Sequence, residues 1–158
     1  MAKIAIMGYG TLGSKLAEVA QYNRDIIAAR LGEEVEVKYI LDVRDFPDSP
    51  FADKMVKDFS VIENDTEVEA VVECIGGVTI AQEFIRRCLQ AGKHVVTANK
   101  HLVSTCGREL LKIAGEKNVN FLFEASVGGA IPVLRPLIQC LAGNRFEEIV
   151  GILNGTTN

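Results

Sequence analysis

Lys3-Ile4-Ala5-Ile6-Met7-Gly8-Tyr9-Gly10-Thr11-Leu12-Gly13 is the stretch on which the fold turns. Lys3 to Met7 is a continuous apolar run closed by glycine, the pattern of a strand buried on both faces of a parallel sheet. Gly8, Gly10 and Gly13 fit G-x-G-x-x-G. Alone that pattern is weak, since any glycine-rich turn can match it. Here it follows an expected strand and opens an expected helix, the context that a dinucleotide-binding turn requires. The first glycine permits the tight turn, the second lets the backbone approach a pyrophosphate, and the third allows close helix–strand packing. The free N–H groups and positive dipole end of the helix then face the phosphates. The reading is a nicotinamide-dinucleotide-binding α/β domain.

Outward from this turn, strands and helices alternate. Thr11 to Leu31 has helical spacing, with Leu12, Leu16, Val19, Ala20 and Ile27 as inward positions and Gly32 as a stop. Val35 to Leu41 is a second strand ending at Asp42, and Arg44 to Pro50 is a loop. Ala70 to Ile75 is a strand closed by Gly76-Gly77, Thr79 to Ala91 a helix, and His94 to Thr97 a strand. Gly107 to Lys117 is helical, Val119 to Phe123 a strand, Pro132 to Leu141 a helix, and Phe146 to Leu153 a last strand. Such alternation builds right-handed βαβ units, and so a Rossmann-type, doubly wound, mainly parallel sheet.

Composition narrows the function. The chain has 158 residues, 48% hydrophobic and 24% charged, as expected of a globular protein. A net charge of -4 gives no basic footprint for nucleic acid or a membrane surface. The opening apolar run is too short for a signal peptide or a membrane span. Cys74, Cys88, Cys106 and Cys140 form no C-x-x-C pair and match no zinc spacing. Free, mostly buried thiols in a reducing cytoplasm are expected.

Ligands of open α/β sheets bind beyond the carboxyl ends of the strands, which brings Gly76, Thr97 and Lys100 within reach of the cofactor. Asp42 ends the second strand, where a carboxylate accepts hydrogen bonds from the adenosine ribose and favours NAD. Its offset from Gly13 is 42 − 13 = 29 residues, longer than the usual figure of about 20. Arg44 could instead hold the 2′-phosphate of NADP. NAD is favoured, because a carboxylate beside the ribose repels a phosphate. Lys100 is the charged group of Thr97-Ala98-Asn99-Lys100 and could orient a substrate oxygen or manage a hydroxyl proton. A helix-start cation is its bland reading, and the helix dipole disfavours that. His101 fits a helix start or packing as well as catalysis. Glu124 ends an apolar strand before a turn of small residues. It suits either a cap or, with backbone carbonyls, a hard cation.

Thr97-Ala98-Asn99-Lys100, Glu124-Ala125-Ser126-Val127-Gly128-Gly129-Ala130-Ile131-Pro132 and Gly151-Ile152-Leu153-Asn154-Gly155-Thr156-Thr157-Asn158 together resemble homoserine dehydrogenase. The resemblance runs from the glycine turn to the last residue. It implies NAD(P)-dependent interconversion of homoserine and aspartate 4-semialdehyde, on the route to threonine, methionine and isoleucine. It assigns the nucleotide contacts to Gly8, Gly10, Thr11, Leu12, Gly13 and the end of the second strand. It assigns catalysis and cofactor contact to Lys100, and a monovalent cation (Na or K) to Glu124, Val127, Gly129 and Ile131, largely through backbone carbonyls. Ala130 stands where many relatives have glycine. The family continues well past Asn158, so the resemblance implies a cofactor-binding domain over 1-126 and the start of a dimerisation and catalytic domain over 127-158. A homodimer is implied for the whole protein. The fragment alone should be inactive, and its apolar residues from Ile131 to Leu153 should be uncovered and self-associate. The competing readings are another two-domain NAD(P)-dependent dehydrogenase and a dinucleotide sensor without catalysis.

Overall fold

A computed structural model describes residues 1–151. Six parallel strands form one sheet: β1 (Ala2–Met7), β2 (Val35–Leu41), β3 (Met55–Val56), β4 (Val68–Glu73), β5 (His94–Thr97) and β6 (Phe121–Leu122). Their order is β3-β2-β1-β4-β5-β6. The chain winds outward from β1 in one direction and then in the other, so strand order reverses between β1 and β4. That reversal opens a crevice at the carboxyl ends of the two strands.

Burial follows the strand period of two. Ala5 and Met7 enter one core with Val71, Val95, Ile85, Leu89, Leu102 and Leu110, while Ile6 faces a second core with Ile40, Ala17, Tyr9 and Phe51. Helices α4 (Thr79–Gln90) and α5 (Lys100–Lys117) cover the first face. Helix α1 (Thr11–Tyr22) covers the second through Gly13 and Ala17.

Several boundaries differ from the sequence expectation. The helix from Thr11 to Leu31 is two, because Asn23 leaves helical geometry (φ −99°, ψ 16°) and α2 (Arg24–Leu31) follows with no buried residue. Leu12 and Val19 are about half exposed, and the small Gly13 and Ala17 make the inward face instead. Close helix–sheet approach therefore rests on missing side chains rather than on large apolar ones. Helix α5 begins at Lys100, not Gly107, because Asn99 caps it. Residues 51–64 hold β3 and α3 (Ser60–Asn64), which the sequence pattern did not suggest. They are short, and single aromatics anchor them: Phe59 stacks on Phe84 with ring centroids 4.1 Å apart.

Beyond β6 lie α6 (Glu124–Val127) and a single π-type turn over Pro136–Cys140, in place of an α-helix over Pro132 to Leu141. Residues 146–151 form no strand, and Leu153 of the expected strand lies outside the described residues. Phe146, Ile149 and Val150 are exposed, so no neighbouring strand or core is there to hold them extended. Among the described residues no helix is long and apolar enough to cross a membrane.

Candidate dinucleotide-binding site

The glycine turn leaves β1 at the crevice. Gly8 adopts φ +100°, and a Cβ there would lie 2.6 Å from the Cys74 carbonyl oxygen. A Cβ on Gly13 would lie 1.9 Å from the Gly8 carbonyl oxygen and 3.4 Å from the Ile6 side chain. Gly13 thus lets the first turn of α1 close onto β1, as its place in the motif requires. Gly10 is the N-cap of α1 and supplies no side-chain cap. The N–H groups at the head of that helix are therefore left for a ligand, and Thr11 and Leu12 stand exposed on its first turn. Helix α5 differs, since the Asn99 side chain accepts from Leu102 N at 3.1 Å and fills its N-terminus.

A cleft of about 390 Å³ opens beside the turn, lined by Gly8, Gly10, Asp42, Arg44, Cys74 and Ile80 among others. Open space meets Gly10, with no heavy atom within 4 Å of a Cβ built there. An open cradle under uncapped helix N–H groups fits a dinucleotide pyrophosphate.

Asp42 does not present free oxygens to this cleft. Its Oδ2 accepts from Tyr9 N at 2.8 Å and from the Arg44 guanidinium at 2.9 Å. Its Oδ1 accepts from the Arg44 N–H and Nε, each at 3.0 Å. Four donors match the roughly four lone-pair sites of a carboxylate. The guanidinium of Arg44, aided by the two backbone N–H groups, holds the Asp42 carboxyl well below the usual carboxylate range against the opposing effect of burial. Arg44 itself is 60% exposed and lies over the Phe46 ring. Lys57, which sequence reasoning missed, also lines the cleft and pairs with Asp45 at 2.6 Å. No residue of the motif pointed to it.

A second cluster joins the ends of β4 and β5. Glu73 and Thr97 are paired across the strands and each is 1% exposed. Thr97 Oγ1 donates to Glu73 Oε2 at 2.6 Å and accepts from Asn99 N at 3.0 Å. Glu73 Oε1 accepts from Ile75 N at 2.7 Å and Gly76 N at 3.1 Å. Asn99 Nδ2 donates to the Gly77 carbonyl. Gly76, Thr97 and Lys100 are thereby brought together, with Lys100 exposed as the first residue of α5. Glu73 was missed, although a carboxylate inside the apolar run Ala70 to Ile75 was a visible signal.

Glu124 lies beyond β6. Its carboxylate accepts from Val133 N, Leu134 N and Arg135 N at 2.5, 2.8 and 2.9 Å. Those N–H groups hold its pKa below the ordinary carboxylate value, the Val133 bond foremost. The side chain caps the turn that follows Pro132, the alternative weighed for it above. Among the described residues no three His, Cys, Asp or Glu side chains gather as a metal site. With the Glu124 carboxylate taken up by backbone N–H groups, a cation at Glu124, Val127, Gly129 and Ile131 would rest largely on backbone carbonyls.

An uncapped helix behind a glycine turn, set at the reversal point of a doubly wound parallel sheet, is the architecture of a dinucleotide-binding domain. The family model described as "Homoserine dehydrogenase, NAD binding domain" matches residues 8–124. Homoserine dehydrogenase of Corynebacterium glutamicum is 40% identical over 98% of this chain and 35% of its own length. That of Pseudomonas aeruginosa is also 40% identical, over 99% of this chain and 36% of its own. The crystal structure of a homoserine dehydrogenase from Thiobacillus denitrificans superposes with a TM-score of 0.81 at 35% identity, covering 90% of this chain and 34% of that one. The chain belongs to the homoserine dehydrogenase family, as its nicotinamide-dinucleotide-binding domain. It spans about a third of the length of the curated relatives it matches.

Proposed function

We propose that this chain supplies the cofactor half of an oxidoreductase interconverting L-homoserine and L-aspartate 4-semialdehyde, in the synthesis of threonine, methionine and isoleucine. The carrying observation is the uncapped head of α1 beside the open face of Gly10, at the sheet's reversal point. The nicotinamide, when bound, accepts or delivers the hydride. The chain's own residues seat and aim it. Gly8, Gly10, Thr11, Leu12 and Gly13 hold the pyrophosphate on backbone N–H groups. Gly76 and Thr97 border the nicotinamide end. The Lys100 ammonium holds the substrate oxygen and steadies its proton during transfer.

Cofactor choice rests on Asp42 and Arg44. A free Asp42 carboxylate would select NAD, but all four of its bonds are made, two of them through the Arg44 side chain. With the Asp42 charge paired to Arg44 and Lys57 beside the cleft, NADP is the proposed cofactor, in place of the NAD expected from Asp42 alone. The division at residues 126 and 127, a homodimer built through the chain beyond β6, and a monovalent cation on the Val127, Gly129 and Ile131 carbonyls beside Glu124 belong to the same reading. The exposed Ile131, Ile138, Phe146, Ile149 and Val150 support a covering partner surface.

The test is the full-length protein carrying Lys100→Ala, assayed for homoserine-dependent reduction of NADP and NAD. A loss of kcat of about a hundredfold or more with cofactor still bound is expected for a group acting on the proton. An unchanged kcat would remove Lys100 from the chemistry. Absence of homoserine-dependent turnover in the full-length protein would favour a sensor module or another dehydrogenase.

A further inference from the structure

We infer that Glu73 is a positioning residue: it locks the Gly76-Gly77 turn to the Asn99-Lys100 helix start and so fixes the nicotinamide side of the site, next to the Cys74-Ile75 edge of the cleft. This rests on the functional reading above and adds a residue to it. A carboxylate that is 1% exposed needs compensation, which here comes from three donors: Ile75 N, Gly76 N and the Thr97 hydroxyl. Stability alone does not single out a carboxylate at this strand position, since buried ionic groups are often replaceable by apolar ones without loss. What the carboxylate gives is geometry. One oxygen gathers the turn after β4, and the other receives the Thr97 hydroxyl. Thr97 then accepts from Asn99 N, and Asn99 both caps α5 and donates to the Gly77 carbonyl. The loop of bonds closes on itself. The turn after β4 and the residue before Lys100 cannot move independently.

The adenine half is built separately, by Asp42, Arg44 and Tyr9 on the β2 side of the glycine turn. That separation sets the experiment. Glu73→Gln keeps volume but puts an amide N–H2 opposite the Thr97 hydroxyl, which must turn to accept from it and is left without an acceptor for its own proton. Thr97→Val removes the hydroxyl at nearly constant shape, and Thr97→Ser keeps it. NADPH and ADP are titrated calorimetrically into the 158-residue chain and each variant. Glu73→Gln and Thr97→Val should bind NADPH about tenfold more weakly, the scale of one broken buried hydrogen bond, with ADP affinity within about twofold of the parent. Thr97→Ser should match the parent for both ligands. Equal weakening toward NADPH and ADP, as a general lesion would give, or no weakening toward NADPH, would overturn the inference. If Glu73→Gln does not fold, the comparison of Thr97→Val with Thr97→Ser decides. Failure of the unsubstituted chain to bind NADPH would instead overturn the functional reading itself.

Discussion

A methyl group built on Gly13 lies 1.9 Å from the Gly8 carbonyl oxygen and 2.9 Å from its carbon. Both are backbone atoms in a turn already fixed by Gly8 N donating to Leu41 O at 2.7 Å. To reach the 3.0 Å that real Cβ atoms respect, the head of α1 must retreat by at least 3.0 − 1.9 = 1.1 Å from β1. Overpacking of this kind costs about 1–3 kcal/mol. Replacing glycine by alanine within a helix returns about 0.5–1 kcal/mol, so the clash wins. A backbone clash this close belongs at the upper end of that range and leaves about 2–2.5 kcal/mol, so at about 2–4 °C per kcal/mol for a chain of this size Gly13→Ala should melt roughly 4–10 °C below the parent. Gly10→Ala is the opposite case. Its backbone (φ −78°, ψ −161°) suits any residue, and no heavy atom lies within 4 Å of the new methyl. Melting should change by no more than about 1–2 °C. The methyl projects into the space where the pyrophosphate would sit, so NADPH affinity should fall about tenfold or more through lost charge-assisted hydrogen bonds. Differential scanning calorimetry and NADPH fluorescence titration read the two effects. Gly13→Ala melting with the parent, or Gly10→Ala binding NADPH with parental affinity, would refute the reasoning.

Arg44→Ala should weaken NADPH about tenfold and leave NADH within about twofold, by competitive titration, because only NADPH brings a 2′-phosphate to the guanidinium. Equal effects on both cofactors would remove Arg44 from cofactor choice. The Lys38 ammonium, foremost, and the Glu67 N–H hold the Asp65 pKa down at about 2. A depressed carboxylate contributes stability that is complete above its unfolded pKa of about 4 and lost as pH falls toward 2. The urea midpoint of the parent should therefore exceed that of Asp65→Asn at pH 5 and converge on it near pH 2. Burial pushes the Cys74 and Cys88 thiols up to about 12 and raises Cys106 as well, while Cys140 is exposed. Mass spectrometry after brief iodoacetamide treatment at pH 8 should show modification confined to Cys140.

The core of the fold was legible because local pattern and tertiary need agree there. Ala5 to Met7 are fully buried on alternating faces within a continuous apolar run, and Gly8 and Gly13 sit where sterics admit nothing larger. Residues 51–64 were opaque because Phe51, Phe59 and Ile62 are single anchors without a period. Helix α1 misled at Leu12 and Val19 because contact distance, not hydrophobicity, selects its inward face. In the site, residue types were readable but their engagements were not. Asp42 was a sound ribose ligand by position, yet its four bonds depend on how Arg44 and Tyr9 fold back upon it. Glu124 likewise is turned to the backbone of residues 133–135, eleven positions away at most, which no strand-end rule could specify.

If the uncapped head of α1 is an anion seat, a nicotinamide dinucleotide must contact its N–H groups. Amide NMR of the 158-residue chain titrated with NADPH tests it most directly. Saturable binding is expected, with the largest shifts at Gly8 to Gly13 and smaller ones at Gly76 and Gly77. Saturable binding that leaves Gly10, Thr11 and Leu12 unshifted, or no binding, would contradict it.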